Sequence, residues 1–281
     1  MIINRGDVQL LYEVEGDGLP CLVPTPANHS IYSNTFSPGM REHLRLAFCH
    51  LRGTAESTWV PVDDLTIGSA VEDLDAVRQE MGLERVAVLG HSGNSYFALD
   101  YARLHPDETA AVILIGPWPA WRGSELQDYW ESFASDERKQ VLREQWARLS
   151  EEERSSASSS EAFVRRYVAM GPRFWYEPRF DASVLWGDDA AINVAFVNRF
   201  WENLFPAYDQ SRTFAEIACP AFIAVGRYDF GSVPAIWEEE AKKFPDAECH
   251  VFERSGHFPM YEERELFDRR LIDWLRRTGN V

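Results

Sequence analysis

The chain is 281 residues long, 45% hydrophobic and 26% charged, which excludes wholesale disorder and allows either two small domains or one large α/β domain with an insertion. Twenty-eight Lys and Arg against 45 Asp and Glu give a formal net charge of −17. A field of that sign repels phosphate backbones and anionic lipid, so nucleic acid and membrane surfaces are excluded as main partners and neutral or cationic small molecules are left.

From the start of the chain, Met1 to Asp7 reach Gly6 and a charge before any long apolar run, so no secretory signal is expected. No stretch approaches the length of about 20 apolar residues that crosses a bilayer. The expected location is therefore cytoplasmic. Short β-branched and aliphatic runs predict strands over Val8 to Val14, Cys21 to Pro24, Leu46 to Cys49, Val86 to Leu89, Ala111 to Ile115, Phe222 to Val225 and Glu248 to Phe252. Between them, Ile67, Ala70, Val71, Leu74 and Val77 recur at helical spacing, with Thr66 as N-cap and Gly82 as the stop. Further helices are predicted over Asn94 to Leu104, Pro234 to Phe244 and Glu263 to Arg276. This alternation predicts an α/β fold, a mostly parallel sheet with helices on both faces and ligand sites beyond the carboxyl ends of the strands.

The alternation breaks between Pro117 and Arg212, where helical runs continue without a β-run and seven of the ten tryptophans fall. The predicted organisation is a core of residues 1–116 and 213–281 with a helical cap, 117–212, inserted between strands. Within the cap, the polar run Glu151 to Glu161 is expected to be a solvated loop. The tryptophans are expected mainly in the cap's own core, with a minority walling a substrate site. Cys21, Cys49, Cys219 and Cys249 form no C-x-x-C pair and are expected as reduced thiols. The histidines show no metal-ligand spacing, so neither metal nor cofactor is expected.

The sharpest local signal is Val86-Ala87-Val88-Leu89-Gly90-His91-Ser92-Gly93-Asn94, a β-run that delivers a serine between small residues into a helix. This is the pattern of a nucleophile elbow, whose tight turn exposes the serine hydroxyl at the sheet edge. A serine needs a base and an orienting acid to be nucleophilic. Asp229 follows the run Phe222 to Gly226, and His257 follows Cys249 to Phe252 in Glu253-Arg254-Ser255-Gly256-His257. The order Ser92, Asp229, His257 is the order of triad members in this kind of sheet. His91, just before the serine, is expected as a packed, hydrogen-bonded neighbour, and His29 is near the predicted site.

These motifs resemble those of the α/β-hydrolases, and within them the proline iminopeptidase group. Gly90 to Ala102, ending in His105-Pro106, is similar to that group's elbow and following helix. His50-Leu51-Arg52-Gly53-Thr54-Ala55-Glu56-Ser57 is similar to its D-x-R-G-x-G-x-S loop, with His50 and Ala55 as departures. The resemblance implies an oxyanion hole from the N–H of Gly93 and one N–H of the loop Thr25-Pro26-Ala27-Asn28-His29, which stands where the group has H-G-G-P-G. Pro26 has no N–H, and aligning Thr25 with the group's histidine makes the donor Ala27. Asn94 replaces the last glycine of the elbow. Phe200-Trp201-Glu202-Asn203-Leu204-Phe205 is similar to the segment whose glutamate recognises a substrate amino group, which implies that role for Glu202.

The expected function is thus a serine hydrolase that works through an acyl-enzyme, with proline iminopeptidase-like cleavage of a small amide or ester of a small-molecule or short-peptide substrate. One alternative is a carboxylesterase or lactonase acting on a neutral apolar ester. Another, of a different class, is a non-hydrolytic ligand-binding or lyase-type protein on the same fold.

Overall fold

Residue alternation along three fully buried strands decides how this chain is layered. The computed structural model describes residues 1–25, 30–54, 57–118, 123–155, 159–187 and 192–280. Strands β1 (Ile2–Arg5), β2 (Val8–Glu15), β3 (Leu19–Pro24), β4 (Leu44–Cys49), β5 (Val86–His91), β6 (Thr109–Ile115), β7 (Ala221–Gly226) and β8 (Ala247–Phe252) form one sheet in the order β1-β2-β4-β3-β5-β6-β7-β8. β1 and β2 pair antiparallel, as do β2 and β4; every other pairing is parallel. Val86, Val88, Val112, Leu114, Ile223 and Val225 point into one hydrophobic cluster, while Ala87, Leu89, Ile113, Ile115, Phe222 and Ala224 point into another. A strand buried on both faces needs apolar residues at every position, which is why these segments read as unbroken apolar runs.

Helices cover both faces. Ile67–Glu80 and Ser95–Leu104 pack into the first cluster through Leu74, Val77, Phe97 and Tyr101. Arg264–Arg277 packs into the second through Phe267, Leu271, Trp274 and Leu275. Thr66 caps the helix Ile67–Glu80 in a reciprocal box: its hydroxyl accepts from Ser69 N–H, and Ser69 Oγ accepts from Thr66 N–H, both at 2.9 Å. The mostly parallel, helix-flanked sheet is the architecture the sequence predicts.

Two segments depart from expectation. β1 is absent from the predicted strands because only Ile3 of it is buried; the signal that finds it is Gly6-Asp7, a two-residue hairpin loop with Gly6 at φ 61°. The polar run from Glu151 is not all loop, since Glu151–Ser155 is a helical turn. Ser150 Oγ accepts from Glu153 N–H at 3.2 Å and Glu153 Oε2 accepts from Ser150 N–H at 2.7 Å, a capping box in which a serine-rich run starts helices rather than avoiding them. Ser159 likewise caps the helix Ser160–Ala169.

Between β6 and β7 the described residues hold helical segments and no strand: Gly123–Phe133, Asp136–Ala147, Glu151–Ser155, Ser160–Ala169, Val194–Asn198, a π-helical turn Arg199–Leu204 and Phe205–Ala207, with short 3-10 turns among them. The buried Arg138 guanidinium donates to the carbonyls of Pro172, Trp175 and Tyr176 at 2.5–2.7 Å. Cap side chains also reach the sheet domain: Asn193 Nδ2 donates to Gly53 O at 2.5 Å, and Gln210 Nε2 to Tyr96 O at 2.9 Å. Among the described residues, no helix is long and apolar enough to cross a membrane.

Candidate active site

β5 runs straight into Ser92, the one non-glycine residue with positive φ (58°) among the described residues. That conformation is strained for an L-residue, and such strain persists only where the surroundings impose it. Here they do: a Cβ at Gly90 would lie 2.7 Å from Ser95 Cα, so the turn closes only with glycine before the bend. Trp201 closes over the other side, within 2.8 Å of where a Cβ on Gly93 would stand. Ser92–Asn94 forms a short 3-10 turn that leads directly into the helix Ser95–Leu104, so Gly93 sits at a helical N-terminus.

β7 ends at Gly226, and the turn after it carries Asp229 into full burial. Its Oδ1 accepts from the N–H groups of Gly231 and Ser232, each at 2.8 Å, and its Oδ2 lies 2.6 Å from His257 Nδ1. A carboxylate oxygen accepts, so Nδ1 is the donor in this bond and Nε2 is the ring nitrogen left on the other side. His257 is held on its backbone as well: its N–H donates to Phe174 O of the cap at 2.6 Å, and its carbonyl accepts from His91 Nε2 at 3.0 Å. Burial pushes the His91 pKa well below the usual imidazole value, so His91 is a neutral strut, as its place before the serine predicts.

The loop bearing His257 is braced by two acids that follow it in the chain. Glu262 accepts from Gly256 N–H at 2.7 Å and from Tyr176 N–H of the cap at 2.6 Å; Glu263 Oε2 accepts from Arg254 N–H and Ser255 Oγ. Burial raises the Glu262 carboxyl to about 8 against the backbone donors that lower it.

Ser92 and His257 line one cavity of about 700 Å³, walled mainly by aromatic and aliphatic side chains of the cap. Trp118, Trp186 and Trp201 are in that wall, whereas Trp130 and Trp175 are buried in packing. Glu202, on the π-helical turn, also lines the cavity and is exposed. Asn94 Nδ2 donates to Pro24 O at 3.2 Å and to Tyr32 Oη at 2.7 Å, tying the elbow to the end of β3. Ala27 and His29 lie outside the described residues. The Arg-Gly loop is anchored to the sheet domain through Arg52, which donates from its backbone N–H, Nε and Nη2 to buried Asp73 at 2.7–2.9 Å.

Sequence reasoning passed over three residues of this region. Arg166 lines the cavity from the helix Ser160–Ala169, and its signal is a charge inside the apolar stripe Phe163, Tyr167 and Met170. Glu262 is the first of an acidic pair placed just after the Gly-His motif. Gly116 at the end of β6 faces the His257 ring, and only its place after a buried strand marks it.

Comparison with known proteins matches residues 25–264 to the alpha/beta hydrolase fold family. The AB hydrolase superfamily protein YclE of Bacillus subtilis (strain 168) is 31% identical over 280 residues, covering 98% of each chain. A proline iminopeptidase of Heyndrickxia coagulans is 24% identical over 221 residues, 73% of this chain and 72% of that one. An alpha/beta fold family hydrolase from Bacillus anthracis str. Sterne superposes with a TM-score of 0.74 at 20% identity, covering 97% of this chain and 98% of that chain. Matched across most of its length by the family and along nearly all of it by a relative, the chain belongs to the α/β-hydrolase fold family.

Proposed function

We propose that the chain is a serine hydrolase that cleaves an ester or small amide bond through an acyl-enzyme on Ser92. One observation carries the reading: His257, its Nδ1 engaged by Asp229 at 2.6 Å, lines the same cavity as a serine held at φ 58° on the strand-to-helix turn. His257 Nε2 takes the Ser92 proton as Oγ bonds to the acyl carbon. The oxyanion is held by Gly93 N–H and by an N–H of the loop after β3, which the resemblance assigns to Ala27. Collapse breaks the bond to the alcohol or amine, which leaves with the proton carried by His257. Water then adds to the acyl-enzyme, gives His257 a proton and releases the acid, and the proton returns to Ser92. These steps draw on no metal or organic cofactor.

The largely apolar wall supports a substrate with an apolar acyl part, a small molecule or a short peptide. Glu202 favours a second reading, proline iminopeptidase-like cleavage, because an acidic side chain at the cavity suits a substrate ammonium group. A panel of p-nitrophenyl esters and prolyl arylamides separates the two. Ester turnover without arylamide cleavage supports the first and sinks the second; arylamide cleavage lost selectively in Glu202→Gln supports the second. Absence of turnover across both sets, with folded protein, contradicts the hydrolase reading.

A further inference from the structure

We propose that the cavity takes acyl substrates bearing a carboxylate, and that Arg166 is the residue that binds it. The inference rests on the serine-hydrolase reading only for the position of the scissile bond. The helix Ser160–Ala169 turns Phe163, Arg166 and Tyr167 toward the cavity, a spacing of three and four that leaves a guanidinium within an otherwise apolar stripe. A charge in such a wall is costly unless something neutralises it, and the arginines around it have partners. Arg138 gives its protons to three carbonyls. Arg165, one position along on the same helix, meets Glu153 and Glu161. Arg173 shares the cavity with Arg166 but is taken: it donates to Gln127 Oε1 at 2.9 Å and lies over the Trp130 ring at 4.5 Å.

Arg166 has none of this among the described residues, and its Nε is buried without a hydrogen-bond partner. The only carboxylate among the described lining residues is Glu202, on the exposed turn, and no ion pair joins the two. A forked, permanently charged donor in a wall of low polarity matches a carboxylate that arrives with the substrate and supplies the missing acceptors. The chain's charge of −17 opposes anions at a distance. That repulsion is screened over a Debye length of about 8 Å, whereas the guanidinium acts at contact in a largely apolar cavity.

The test compares p-nitrophenyl esters of one chain length: pentanoate, the half-ester of glutarate, and 4-aminobutanoate. The full chain should favour the glutarate half-ester over the pentanoate by about tenfold or more in kcat/KM, as a charge-assisted hydrogen bond implies. Arg166→Met, which keeps length and apolar packing, should collapse that ratio toward one. Arg166→Lys should retain part of it, and Arg165→Met all of it. In parallel, glutarate should raise the Tm of the full chain and glutaramide should not, with the glutarate effect absent in Arg166→Met. A pentanoate or aminobutanoate preference, or an unchanged ratio in Arg166→Met, overturns the inference. Loss of all ester turnover with the glutarate shift intact defeats the hydrolase reading and leaves the subsite standing; turnover without preference or shift does the reverse.

Discussion

Gly116 stands directly against the imidazole of His257: a Cβ at position 116 would lie 2.7 Å from His257 Nδ1 and 3.1 Å from Asp229 Oδ2. The glycine is at φ 50°, and its N–H is fixed to Ala224 O at 2.8 Å, so it has nowhere to retreat. The first residue after β6 therefore sets how closely the acid and the histidine can meet. In Gly116→Ala the methyl group must part the Asp229–His257 hydrogen bond or shift the ring, and the positive φ adds about 1–2 kcal/mol of strain. The expected result is a fall in ester kcat/KM on the order of a hundredfold with the fold retained by circular dichroism, since misplacement by about 1 Å costs that much. Wild-type activity in this variant contradicts the packing described.

Glu262 predicts a pH dependence of stability with a definite sign. Its carboxyl titrates at about 8 in the folded chain against an ordinary 4.5, mainly because of burial. A raised carboxyl favours the folded state below the ordinary value, and that contribution is lost as pH climbs through about 8. The Tm should therefore fall between about pH 4.5 and about pH 8 and level off above that, and fall less in Glu262→Gln, which has no charge to develop. Thermal scans of both proteins check this; parallel pH profiles would contradict it.

His91 is expected to matter through the main chain of its neighbour. Its Nε2 proton serves the carbonyl of His257, and its ring packs on Phe258 at a centroid distance of 4.6 Å. His91→Ala leaves that buried carbonyl without its partner and should cost about 1–3 kcal/mol in denaturant unfolding, beyond the loss of packing. Because His91 is held neutral by burial, its removal should not shift the acid limb of the activity profile. A shifted limb would mean that His91 titrates in the working range.

The sheet was legible from the sequence because its central strands are buried on both faces, and only unbroken apolar runs such as Val86 to Leu89 and Ala111 to Ile115 satisfy that demand. Ser92 and Asp229 were legible as candidates because each follows such a run, whereas His257 follows the half-buried strand Ala247–Phe252 and was marked instead by its Gly-His turn and its place in the chain order. The edge strand Ile2–Arg5, with little to bury, and the serine-rich capping run near Glu151 were not. Arg166 and Gly116 escaped for a different reason. Their significance lies in what stands opposite them, an apolar cavity for one and an imidazole for the other, and no spacing along the chain encodes that.

The central claim is that Ser92 is the nucleophile, activated by His257 and Asp229. Labelling with an active-site-directed fluorophosphonate, followed by peptide mapping, tests it most directly. The expected result is one label per chain on Ser92, slowed strongly in His257→Ala and absent in Ser92→Ala. Full labelling of the Ser92→Ala protein, or a label mapped to another residue, contradicts it.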